Sequence, residues 1–187
     1  MKKLTSLLLT ACFCLQAQAG ETLRIADFED ARELDWQIIN DTVMGGKSSS
    51  TFTVDGGQLV FSGYLNTNGG GFASLRSAPK VWDLSQQHRV RLRIRGDGRT
   101  YQVRLHPSGS RIAYKTTFPT TAEEWQTVEF ALEDFRATWR GRELNEPPPE
   151  AAALNSIGLL LADGQDGHFT LTVDWIEFAA GKAVPSR

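Results

Sequence analysis

Cysteine is almost missing from this chain: there are two, Cys12 and Cys14, both near its start. Beyond them neither a disulfide framework nor a thiolate metal site can be built. Histidine is scarce as well. His88, His106 and His168 stand apart, so no two are spaced to share a metal from one helix. Each reads as a surface or edge residue. No Gly-x-Ser-x-Gly elbow occurs, and Gly69-Gly70-Gly71 lacks the Lys-Ser/Thr pair of a phosphate loop. Charge of one sign is lacking too, since 20 Lys and Arg face 22 Asp and Glu for a net charge of −2. Bulk charge therefore excludes an ordinary nucleic-acid binder. Past the first turn of sequence no apolar run is long enough to span a bilayer.

What is present begins with Met1-Lys2-Lys3, an apolar run at 4–15, and the small-residue trio Ala17-Gln18-Ala19. This predicts a signal peptide over 1–19, cleaved before Gly20, and hence a periplasmic or secreted protein. Leu9-Thr10-Ala11-Cys12 offers the other processing route, with Cys12 carrying a lipid anchor. Without Lys2 and Lys3 the chain has 18 basic against 22 acidic residues, a net charge of −4. Residues 20–178 suit one domain with a sizeable core, and 179–187 read as a flexible tail.

Periodicity along 20–178 is that of strands. Arg89, Arg91, Arg93 and Arg95 alternate with Val90, Leu92 and Ile94, and after Gly96-Asp97-Gly98 the residues Tyr101, Val103 and Leu105 alternate with Gln102, Arg104 and His106. Asp55-Gly56-Gly57 between 50–54 and 58–65 reads as a hairpin, and Gly96-Asp97-Gly98 reads as another. The stretch 81–87 reads as a turn of helix, and 133–150, with Pro147-Pro148-Pro149, as a loop or lid. About ten short strands with little helix predict an all-β fold, an antiparallel two-sheet sandwich. Trp36, Trp125 and Trp175 are expected in the core, while Trp139 and Tyr114 could offer stacking surface.

The richest polar stretch is Asn40-Asp41-Thr42-Val43-Met44-Gly45-Gly46-Lys47-Ser48-Ser49-Ser50. Downstream come Phe61-Ser62-Gly63, Gly70-Gly71-Phe72-Ala73-Ser74-Leu75-Arg76, Gly96-Asp97-Gly98-Arg99-Thr100-Tyr101 and Val173-Asp174-Trp175-Ile176. In that order these motifs resemble the complex I intermediate-associated protein family, over about 22–178. The resemblance implies a galactose-binding-domain-like jelly roll. It also implies a non-enzymatic, chaperone-like role in building a respiratory complex, through a protein partner and without a cofactor. The fold type alone leaves a carbohydrate-binding module of the envelope as the alternative, and a carboxylate-based hydrolase as a third reading.

Two candidate partner sites follow from the residues. One is a polar rim of Asn40, Asp41, Lys47, Ser48 and Asn68. The other is an arginine face of Arg91, Arg93, Arg95 and Arg104, set on one hairpin surface, where like charges repel unless carboxylates such as Glu129 or an anionic ligand intervene. Gly45, Gly46, Gly69, Gly70, Gly71, Gly96 and Gly98 are expected to serve turns, with Gly46 needing positive φ. Asp27, Asp30 and Asp174 are weak calcium candidates where the first and last strands meet, short of the six to eight oxygens calcium takes.

Overall fold

The structure, a computed structural model, describes residues 21–30 and 34–181. The 1–19 segment, with its cleavage site and Cys12, lies outside the described residues, as does 182–187 of the tail. Thirteen strands are described: β1 (Thr22–Ala26), β2 (Trp36–Ile38), β3 (Ser49–Asp55), β4 (Gln58–Leu65), β5 (Ala73–Ser77), β6 (Gln87–Arg95), β7 (Thr100–Pro107), β8 (Ala113–Pro119), β9 (Trp125–Ala131), β10 (Arg136–Trp139), β11 (Arg142–Glu143), β12 (Leu154–Leu161) and β13 (Gly167–Ala180). The only helical pieces among the described residues are three single 3-10 turns, at Asp41–Met44, Leu132–Asp134 and Ala151–Ala153.

Alternation decides the architecture. Each strand has one apolar face, and two antiparallel sheets bury those faces against each other as a jelly-roll sandwich. The six-stranded sheet runs β3-β4-β13-β6-β9, with β1 also pairing β13; the seven-stranded sheet runs β11-β10-β8-β7-β12-β5-β2. Leu59, Phe61, Val90, Leu92, Ile94, Leu171, Val173, Ile176 and Phe178 enter the core from the first sheet. Leu75, Tyr101, Val103, Leu105, Phe118, Ile157, Leu159 and Leu161 meet them from the second. Phe169 joins the layers, with its ring 5.0 Å from Phe61 and 6.5 Å from Tyr101. The register of β13 on β6 slips at Asp174, so that Val173 and Ile176 both point inward.

Asp55 pairs with Gln58 across Gly56 and Gly57, as a two-residue hairpin requires. Gly96-Asp97-Gly98 behaves differently. It carries the chain from β6 in one sheet to β7 in the other, so Arg104 lies on the opposite side of the sandwich from Arg91, Arg93 and Arg95. The expected single arginine face is therefore two faces. The crossover is held by a clip: Arg99 Nε and Nη2 reach Asp163 Oδ2 and Oδ1 at 2.9 and 2.6 Å, and its other N–H groups reach the carbonyls of Gln165, Gly167 and His168. Asp97 Oδ2 accepts from Tyr101 Oη and Thr170 N. This clip joins the β6–β7 crossover to the β12–β13 crossover.

Four further expectations change. The 81–87 stretch forms a turn in place of a helix, with Trp82 packed on Phe178 at 6.2 Å. Within the supposed lid, Phe135 is buried and β10 pairs with β8 and β11, with Ala137 buried toward the core and Thr138 buried on the opposite face. Tyr114 pairs with Leu105 and packs inward. Trp125 and Trp175 are half-exposed on the outer face of the six-stranded sheet, where arginines cover them.

Candidate functional site

The polar stretch at 40–50 folds inward. Asn40 is 8% exposed, Asp41 0% and Ser48 2%. Asp41 accepts from Ser48 N at 2.9 Å, Ser48 Oγ at 2.7 Å, Gly71 N at 2.7 Å and Phe72 N at 3.4 Å. Asn40 Oδ1 accepts from Ser50 Oγ and Ser74 N. Asp41 thus ties the 40–48 loop to the 66–72 loop, and Asn40 ties it to β3 and β5. Lys47 and Asn68 remain exposed, so the rim is split into two outward and three inward groups. Burial alone would raise the Asp41 carboxyl, but the bonds from Ser48, Gly71 and Phe72 prevail and hold it below the usual carboxylate value.

This packing explains Gly46 differently from the expected positive φ. A Cβ there would lie 2.2 Å from Asp41 Cγ, whereas Gly45 has φ 86° and open space around it. Gly46→Ala is therefore expected to lower stability more than Gly45→Ala, whose backbone strain costs about 1 kcal/mol. Thermal melts of the two variants compare them directly. Equal losses would show that turn conformation, not the approach of Asp41, sets the requirement.

The bonds of Asn40 and Asp41 form a second, buried clip, the Asp41 clip, beside Ile39, Met44 and Phe72, which line a groove on the outer face of the seven-stranded sheet. This groove has a volume of about 410 Å³. Its floor is built by register: Arg76 on β5 and Arg104 on β7 both pair with Gly158 on β12, and Arg104 pairs in turn with Lys115 on β8. Directly paired residues share a face, so three cations stand in a row with a bare glycine between the two arginines. Gln102 and His106 flank the row, and Arg140 closes one end. Among the described residues no Asp or Glu lines the groove. Arg76 Nε donates to Ser156 Oγ at 3.2 Å and Arg104 Nη2 to Thr138 Oγ1 at 2.9 Å, while Lys115 reaches Glu143 at 3.0 Å. Burial lowers the pKa of Arg76, and burial together with Arg76 lowers that of Arg104. His106 falls to about 3 through burial and the two nearby guanidiniums, so it is neutral near pH 7.

The outer face of the six-stranded sheet is charge-paired instead. Arg89 and Arg91 reach Glu129 at 2.7 and 3.1 Å, Arg91 and Arg24 reach the buried Glu177 at 2.6 and 3.0 Å, and Arg93 reaches Asp174 at 3.2 Å. Arg93 and Arg95 lie over Trp125 at 5.5 and 5.3 Å, and Arg24 over Trp175 at 4.6 Å. Asp174 is engaged there and Asp27 accepts from Glu29 N. Among the described residues no group of three or more His, Cys, Asp or Glu could hold a metal, so Asp27, Asp30 and Asp174 do not assemble one. Among them, too, no helix is long and apolar enough to cross a membrane.

A family model described as complex I intermediate-associated protein 30 matches residues 26–173. The chain belongs to that family. Curated relatives include complex I intermediate-associated protein 30, mitochondrial, of Drosophila melanogaster, 27% identical over 84% of this chain and 62% of the relative. The Mus musculus protein of the same name is 26% identical over 87% of this chain and 58% of its own. The chain thus spans less than two thirds of the length of either relative. Among solved structures, the family 11 carbohydrate-binding module of the cellulosomal cellulase Lic26A-Cel5E of Clostridium thermocellum superposes with a TM-score of 0.65. It is 17% identical over 90% of this chain and 99% of the module, a likeness of fold.

Family membership corrects one expectation. The relatives are named as mitochondrial proteins, which overturns the periplasmic or secreted address. That address rested on a basic start and a short apolar run, features that mark a targeting segment without naming the receptor that reads it. The groove residues Arg76, Gln102, His106, Lys115 and Gly158 were not among the sequence candidates, although Arg76 sits in a family-like motif. Only the alternation of Ser74 and Arg76 about Leu75 signalled which way its side chain faces.

Proposed function

We propose that the chain is a non-catalytic protein-binding factor that assists the assembly of respiratory complex I, and that the groove of the seven-stranded sheet receives its partner. The observation that carries this reading is the groove itself, beside the buried Asp41 clip, in a family named for its association with complex I intermediates. Met44, 68% exposed, lines it, and an exposed apolar side chain in a built groove suits a protein contact. Among the described residues lining the groove Phe72 is the one Phe, Tyr or Trp, a poor platform for the stacked rings of a neutral glycan. Carbohydrate binding, the reading the fold likeness favours, is therefore placed second.

Affinity capture from a detergent extract containing complex I and its intermediates tests the proposal, alongside a glycan array. Enrichment of complex I subunits by the native chain, lost in Met44→Asp, is expected. Glycan hits without subunit enrichment would reverse the order of the two readings.

A further inference from the structure

Of the three cations on the groove floor only Lys115 has a carboxylate partner, Glu143 at 3.0 Å, while Arg76 and Arg104 face only hydroxyls. Directly opposed like charges on adjacent strands are unfavourable, and here two guanidiniums and an ammonium are aligned by the backbone register itself. Arg76 and Arg104 each make one side-chain hydrogen bond, to a hydroxyl, out of the five N–H donors a guanidinium carries. Gln102 adds a buried amide oxygen with no partner, an acceptor that a peptide N–H, not a carboxylate, can satisfy. Gly158 leaves the sheet bare between the arginines, which stand two strand spacings apart, about 9.6 Å. A Cβ at Gly158 would lie 2.9 Å from Leu75 O, so close strand approach also selects the glycine. The other outer face shows what this chain does with arginines that need only be soluble: it pairs them with Glu129, Glu177 and Asp174.

We infer that Arg76, Arg104 and Lys115 bind the carboxylates of an extended acidic peptide segment presented by the protein partner. This rests on the protein-binding reading above. Planar guanidiniums match carboxylates in bidentate geometry, and desolvation in the groove strengthens each contact. An extended chain repeats its side chains on one face every 6.8 Å or so, so acidic residues at alternate positions can reach successive cations. Ile39, Met44, Phe72 and Leu160 beside the row offer apolar contact to the rest of such a segment.

The test is fluorescence anisotropy with a labelled octapeptide of alternating Glu and Ala, and its Gln–Ala counterpart, against the full chain. The Glu peptide is expected to bind at least about tenfold more tightly, and to weaken as salt is raised. Arg76→Gln/Arg104→Gln should remove about tenfold or more of that affinity, whereas Arg93→Gln on the other face should leave it unchanged. If the double variant does not fold by circular dichroism, Arg104→Gln alone carries the comparison. Equal binding of both peptides, or an unaffected arginine variant, overturns the inference. So does a preference for an oligogalacturonate over the Glu peptide. Failure of the native chain to bind the Glu peptide while it still captures complex I subunits would sink the acidic-peptide inference alone; failure of the native chain to capture any subunit would sink the protein-binding reading.

Discussion

Asp41→Ala is expected to lower the melting temperature by on the order of 10 °C, a loss of about 3 kcal/mol. The residue looks like a loop aspartate in sequence, yet its carboxylate accepts four hydrogen bonds with no solvent access. Truncation strands Ser48 N, Gly71 N and Phe72 N together, while Ser48 Oγ keeps Asn66 O as an acceptor, and unsatisfied donors in a closed loop cost far more than the net worth of each bond. Acid should produce the same effect in the native chain. Because the folded Asp41 carboxyl lies below its unfolded value, its contribution is complete above about pH 4 and is lost as pH falls through the lower, folded value. Melting curves from pH 7 to pH 2 check both statements. The variant should show a shallower acid limb than the native chain, and a variant melting within a degree or two of the native chain would contradict the Asp41 clip.

The second large effect is expected at Arg99. Its guanidinium and the Asp163 carboxylate are 12% and 4% exposed, and the pair joins two sheet-to-sheet crossovers. The hydrogen bond to Asp163 raises the Arg99 pKa despite burial; burial pushes Asp163 up, but the bond and charge of Arg99 together with backbone N–H donors hold it below the usual carboxylate value. Arg99→Ala leaves a buried carboxylate with only backbone donors, a change that costs about 3–5 kcal/mol for pairs of this kind. Urea unfolding should show a lower midpoint with an unchanged slope. Arg99→Ala/Asp163→Asn should recover part of the loss, since the uncompensated charge is then gone. Absence of that recovery would show that the carbonyl contacts, not the ion pair, hold the crossovers.

Much of the sandwich was legible because it is local. The alternation of arginines with Val90, Leu92 and Ile94 gives a strand and its two faces, and Asp55-Gly56-Gly57 gives a hairpin, from neighbouring residues alone. Gly96-Asp97-Gly98 carries the same kind of turn signal but feeds a crossover. The choice is made by Asp97 and Arg99 gripping residues more than sixty positions away, which no local pattern records. The groove is hidden for the same reason. Arg76, Gly158 and Arg104 meet only because β12 lies between β5 and β7, a register set by the whole core. At the polar stretch composition was misleading in direction. Asn, Asp and Ser are read as outward groups, but the loops at 40–48 and 66–72 close over Asn40, Asp41 and Ser48 and use them as internal fastenings.

The central claim is that the partner sits in the groove of the seven-stranded sheet and not on the charge-paired face. A photo-crosslinking amino acid placed at Met44, on the groove wall, and in a separate chain at Thr127, exposed on the other face beside Arg93, addresses it most directly. Crosslinks to a complex I subunit from position 44 and none from position 127 are the expected result. Crosslinks from 127 with none from 44 would contradict the account.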